Sequence, residues 1–143
     1  MLITRETDYA LRMLRVLLDE EKHSAAEMAE TELIPMQFAY QILRKLSAGE
    51  LVQVSRGAAG GCRLSCDLRG VSLYDLMDVM GEHDVLCACM EPGYDCRWQS
   101  EHGKCDIHCQ LTELQLKQDE AFRAVSLRRL LTGGSDPQDT SEL

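Results

Sequence analysis

Ala10, Met13, Leu14, Leu17 and Leu18 recur at three- and four-residue intervals, and this spacing predicts a helix over residues 5–20 with one broad apolar face. The run Ser24-Ala-Ala-Glu27 sets a hydroxyl and a carboxylate three residues apart, as a capping box requires, so a second, short helix should start there. Pro35 suits the first turn of a third helix, where its missing N–H has no intrahelical partner. That helix should reach about Ala48 and stop near Gly49. Its faces separate: Ala39, Ile42, Leu43 and Leu46 form an inward stripe, and Gln37, Tyr40, Gln41 and Arg44 form a polar one. Two short helices in tandem, the second displaying such a face, predict a helix-turn-helix.

Leu51-Val-Gln-Val-Ser55 then reads as a strand, Arg56–Gly61 as a glycine-rich turn, and Cys62–Cys66 as the return strand. A hairpin directly after a recognition helix is a wing. Ser72 should cap a helix carrying Leu73, Leu76, Met77 and Met80. Residues 81–104 have little periodicity and hold Gly81, Pro92, Gly93 and Gly103, so they read as a long loop, and loops of that length are commonly functional. From Asp106 to about residue 125 a long helix carries Ile107, Leu111, Leu114, Ala121 and Val125, and Ser126 caps a last short one with Leu127, Leu130 and Leu131. The expected fold is mainly α with a small β-hairpin: a winged helix-turn-helix plus a long dimerisation helix. The expected divisions are 1–80 for DNA binding, 81–105 for a cysteine-rich cofactor loop, 106–131 for dimerisation, and 132–143 for a polar, disordered tail. The long helix has few possible neighbours in so short a chain, so a second copy is the expected partner for its stripe.

Charge sharpens this picture. The 143-residue chain has a net charge of −9, which at first argues against a nucleic-acid partner. Residues 36–70, however, hold five basic groups (Arg44, Lys45, Arg56, Arg63, Arg69) against two acidic ones, while the segments on either side are acidic. DNA binding needs a local basic face, not a basic chain. Gln37, Tyr40, Gln41 and Arg44 would then approach base edges and phosphates in the major groove, and Arg56 the adjacent minor groove. The sequence shows no membrane-length apolar run and no signal peptide after Met1, so a cytoplasmic location is expected. It also lacks a P-loop, a dinucleotide-binding glycine fingerprint and a nucleophile elbow, so no enzyme is expected.

Seven cysteines are present, five of them at Cys87, Cys89, Cys96, Cys105 and Cys109. In a reducing compartment an odd number of thiols points to metal or redox chemistry rather than structural disulfides. His108 follows Cys105 by three residues and would share its helical face. Cys105, His108 and Cys109, with Cys96, could also hold zinc, although paired C-x2-C knuckles are missing. Cys62 and Cys66, on the wing, read as packed small hydrophobes, and His23, His83 and His102 as scattered, solvated residues.

Met1–Arg12, Gln41–Leu46, Ser55-Arg-Gly-Ala-Ala-Gly-Gly61 and the cysteine loop leading into the long helix resemble the winged-helix regulators of the iron–sulfur cluster regulator and nitric-oxide-sensing repressor type, over roughly residues 1–131. The resemblance implies a homodimer on a palindromic operator and a [2Fe–2S] or [4Fe–4S] cluster held by three loop cysteines, which fall here on Cys89, Cys96 and Cys105. It offers Asp8, reaching across the dimer, as a fourth ligand beside His108. The spacing of the three cysteines is wider than usual for that family, and Cys87 and Cys109 are additional thiols that could replace a neighbour. The expected function is a transcription regulator, in the repressor mould, sensing redox state, nitric oxide or iron–sulfur status. A metal-free thiol switch and a small metal-binding or electron-transfer protein are the alternatives.

Overall fold

The computed structural model describes residues 2–82 and 84–134. Seven α-helices and one hairpin follow in order: α1 Arg5–Val16, α2 Ala25–Glu32, α3 Met36–Ala48, β1 Val52–Ser55, β2 Gly61–Leu64, α4 Leu73–Met80, α5 Arg97–His102, α6 Asp106–Arg123 and α7 Leu127–Thr132. The caps explain several of these boundaries. Ser24 Oγ accepts the Glu27 N–H while the Glu27 carboxylate accepts the Ser24 N–H, closing the expected box. Ser72 and Asp75 repeat it at α4, and Ser126 caps α7 through the Arg129 N–H.

Ala10, Met13, Leu14 and Leu17 of the first helical segment pack on Met28 and Ala29 of α2, on Ala39, Ile42, Leu43 and Leu46 of α3, and on Leu76 and Met80 of α4. Arg15 donates from Nε and Nη2, along one edge of its guanidinium, to the two carboxylate oxygens of the nearly buried Glu32, which locks α1 to α2. Leu127 returns the chain to this core and is fully buried; main-chain bonds Leu73 N–H to Val125 and Leu127 N–H to Val71 fasten the junction. Truncating such a residue to alanine costs roughly 2–5 kcal/mol.

Three expectations need correction. The first helix ends at Val16, and a 3-10 turn over Leu17–Asp19 carries the chain to Glu20, which sits at φ 64°. The 81–104 segment is not all loop: it contains a 3-10 turn at Ala88–Met90 and α5, both too short to show a hydrophobic period. The return strand stops at Leu64, so Cys66 lies past the strand and not on one strand face with Cys62. The tail expectation for 135–143 falls outside the described residues.

Candidate functional site: a nucleic-acid interface and a thiol cluster

The hairpin is antiparallel, with Val52 opposite Leu64 and Val54 opposite Cys62. Its glycines have physical causes. A Cβ on Gly60 would come within 2.5 Å of the Ser55 main-chain oxygen, and one on Gly61 within 2.7 Å of Lys22 Cγ. That closeness lets the α1–α2 connection clasp the wing. His23 exchanges main-chain bonds with Cys62 at 2.9 and 2.7 Å, and Lys22 Nζ donates to the Ala59 carbonyl at 3.1 Å. Lys22 and His23 are therefore supports of the wing that local sequence patterns do not reveal, since their partners are some forty residues away. His23 is half-buried with Asp19 Oδ2 2.7 Å from Nε2, not the solvated residue expected; His102 stacks on Trp98 at 4.6 Å, and His83 lies outside the described residues.

Between α3 and this wing runs an open cleft of about 870 Å³, lined by Tyr40, Arg44, Ser47, Val54, Ser55, Arg56 and their neighbours. All five residues proposed from the sequence to meet DNA, Gln37, Tyr40, Gln41, Arg44 and Arg56, are exposed. Tyr40 is 59% exposed, so it is an outward side chain and not a packing residue. The inward stripe Ala39, Ile42, Leu43 and Leu46 is buried, so α3 presents its polar face outward on a fixed base.

The cysteine loop is anchored at its entry. Thr4 and Thr7 donate their hydroxyls to the Glu82 carboxylate, and the Leu86 N–H donates to Gln115 Oε1 of α6 at 2.8 Å. The loop then brings Cys87, Cys89 and His108 together. Cys89 Sγ donates to Cys87 Sγ across 3.5 Å, and His108 Nδ1 lies 3.3 Å from Cys89 Sγ. The Cys87 thiol is pulled below its ordinary pKa, first because the Cys89 main-chain N–H serves its thiolate and then through the Cys89 thiol. Cys89 is pushed up, mainly because it donates to Cys87, with slight burial and the negative charge of Cys87, Cys96 and Cys105 adding to it. Cys62 is buried within the core, and burial alone pushes it to about 11.

Cys105 stands at the N-cap position of α6 without a side-chain capping bond, and the Cys109 N–H bonds back to its carbonyl. Cys87, held in reserve on sequence grounds, is in direct contact with Cys89, and His108 is the fourth-ligand candidate that reaches the cysteines within one chain. Asp8 instead pairs with Arg12 at 3.0 Å and lines a hollow with Leu11, Arg15, Leu130 and Leu131. Soft thiolates plus an imidazole suit iron–sulfur or zinc chemistry. Among the described residues no three His, Cys, Asp or Glu side chains stand converged as a ready metal set, so ligands from the loop would have to gather around a metal.

A helix-turn-helix with a clasped wing defines a winged-helix DNA-binding protein. The chain belongs to the Rrf2 family, described as iron-dependent transcriptional regulators, whose family model matches residues 3–133. That family's description as transcriptional regulators agrees with the winged-helix fold of this chain. Protein aau3 of Rhizobium meliloti (strain 1021) is 31% identical over 99 residues, covering 67% of this chain and 64% of that protein. Two solved structures share the fold at low identity. T. potens IscR has a TM-score of 0.68 at 18% identity, covering 96% of this chain and 91% of its own. CymR, the global cysteine regulator of B. subtilis, has a TM-score of 0.67 at 17% identity, covering 93% and 98% respectively. Among the described residues no helix is long and apolar enough to cross a membrane.

Proposed function

We propose that this regulator binds a palindromic operator as a homodimer and senses redox state, nitric oxide or iron–sulfur status through a cysteine-ligated iron–sulfur cluster. The observation that carries the sensor reading is that Cys89, at the foot of the long helix, lies at hydrogen-bond distance from Cys87 on one side and from His108 on the other. Cys89, Cys96 and Cys105 would hold the cluster, His108 would be its nitrogen donor, and Asp8 of a partner chain the alternative. A bound cluster supplies iron that changes oxidation state and exchanges ligands with oxygen or nitric oxide. The chain's own residues orient and transmit: Gln115 fixes the loop's entry, and Glu82 ties it to the first turn of α1.

The homodimer reading is supported by α6. None of its residues is buried, and Ile107 and Leu114, two turns apart on one face, are 70% and 53% exposed. The DNA reading is supported by the outward polar face of α3 beside Arg56. Two other readings have an observation each. Metal-free thiol sensing is favoured by the lack of a converged metal set among the described residues, and zinc by Cys105, His108 and Cys109 sharing the start of α6.

The test is iron, sulfide and zinc quantitation on protein purified without oxygen, with single serine substitutions. Cys89→Ser, Cys96→Ser and Cys105→Ser should each lose the cluster, while Cys62→Ser and Cys66→Ser should keep it. A full cluster in Cys96→Ser would overturn the ligand set. Zinc alone, or no metal, in the wild-type protein would overturn the iron–sulfur reading.

A further inference from the structure

Cys87 is left over by the ligand set, yet its sulfur is the one in contact with Cys89. The pair belongs to a Cys-Ala-Cys run whose conformation is fixed locally. Cys87 is extended, at φ −145° and ψ 141°. The chain then turns through Ala88–Met90, closed by Met90 N–H to the Cys87 oxygen at 2.9 Å and by Glu91 N–H to the Ala88 oxygen at 3.0 Å. This turn sets the two thiols side by side, Sγ to Sγ 3.5 Å. Both are only partly covered, so a small oxidant can reach them. A disulfide needs sulfurs about 2.05 Å apart, so the two Sγ atoms must close in from 3.5 Å for the bond to form. Cys62, in contrast, is buried in the core.

We propose that Cys87 and Cys89 are a peroxide-sensitive dithiol that closes to an intrachain disulfide and so withdraws Cys89 from its role as a soft ligand. One thiolate attacks hydrogen peroxide, cleaving the O–O bond, and becomes a sulfenic acid as hydroxide leaves and is protonated to water. The second thiol attacks that sulfur, forms the S–S bond and releases a second water. Two thiols are oxidised by two electrons in total, and one peroxide is reduced to two waters. A disulfide closed over one intervening residue is strained, and strained disulfides are the readily reduced, reversible ones. The bond itself needs no metal; its regulatory effect rests on the cluster reading above, since it removes one of the proposed ligands.

The test starts from metal-free, reduced protein treated with one equivalent of hydrogen peroxide, then iodoacetamide and trypsin. The peptide from residue 70 to 97 contains Cys87, Cys89 and Cys96. It should carry one adduct, on Cys96, and be two mass units lighter than that singly modified peptide with free thiols. Cys87→Ser should abolish the bond and Cys109→Ser should leave it. Adducts on all three cysteines, or a bond from Cys89 to Cys96, Cys105 or Cys109, would overturn the proposal. In a second arm the peroxide is removed, ferrous iron and sulfide are supplied without thiol reductant, and iron uptake is read on protein in which the bond is still mapped afterwards, since sulfide can itself open a disulfide. The oxidised protein should take up less than a tenth of the iron bound by the dithiothreitol-treated control. Equal uptake by both would overturn the regulatory link, whereas no uptake by either, with the disulfide mapped, would overturn the cluster reading and leave the disulfide standing.

Discussion

Lys45 Nζ, on the recognition helix, donates to the main-chain oxygen of Met80 at 3.2 Å, in the last turn of α4 just before the cysteine loop. The same ammonium pairs with Glu6 of α1 at 2.6 Å. One side chain thus ties α3 both to the first turn of α1 and to the residue two positions ahead of Glu82, which α1 also holds. Under the proposed sensor reading, a shift of the cysteine loop would reach the helix carrying Gln37, Tyr40, Gln41 and Arg44 through the Glu82, Met80 and Lys45 contacts. Lys45→Met should lower the unfolding free energy by about 1 kcal/mol, since a partly exposed pair and one hydrogen bond are lost. Denaturant unfolding of Lys45→Met, Glu6→Gln and the double variant checks this: the two effects should be less than additive.

Arg56, at the tip of the wing, should contribute to DNA binding without contributing to stability. Arg56 is exposed at the start of a turn whose Gly57 sits at φ 99°, so Arg56→Ala should leave the melting temperature unchanged. Its affinity for a site selected from a random duplex pool should fall about tenfold, and the salt dependence of binding should become shallower by about one unit of slope.

Helical segments and caps were legible from sequence because they are local: the Ser24–Glu27 box and the buried α3 stripe need only residues within a turn or two of one another. What was not legible is tertiary. Nothing near Lys22 or His23 signals that they clasp a wing from across the chain, and nothing near Glu82 signals Thr4 and Thr7. Leu33 is a further example. Its type suggests core, yet it closes α2 at φ 55° with 85% of its surface exposed. In the cysteine region the residue types announced the chemistry, but spacing alone did not single out Cys87 as the contact of Cys89. Only the 3-10 turn at Ala88–Met90 does that, and a turn so short leaves no periodic trace.

Cys62 gives the fold an alkaline limit. Its folded pKa of about 11 lies above the ordinary 9.0, so the folded state retains a proton that the unfolded state releases. The stabilisation is complete below about pH 9, and it is lost as pH rises from there through about 11. The loss attributable to this thiol should be on the order of 2–3 kcal/mol. Chemical unfolding at a series of pH values should show a steeper decline in the wild-type protein than in Cys62→Ala; parallel declines would contradict it. In the native protein at neutral pH, Cys62 should also resist iodoacetamide while Cys87 reacts first.

Association should depend on α6. Leu114→Glu places a charge on the exposed stripe shared with Ile107 and should shift the protein to monomer in sedimentation at micromolar concentration. The helix content should stay close to wild type, because Leu114 is more than half exposed in the single chain. A Leu114→Glu protein that sediments like wild type would move the dimer contact elsewhere.

The central claim is that the thiol cluster at the foot of α6 governs DNA binding by α3 and the wing. The most direct measurement is the affinity for the selected DNA site of anaerobic protein, loaded with its iron–sulfur cluster and stripped of it, at one fixed salt concentration. The account predicts affinities that differ at least tenfold between the two forms, about 1.4 kcal/mol or more, with both forms still folded. Equal affinities in the two forms, or a protein that binds no DNA in either, would contradict it.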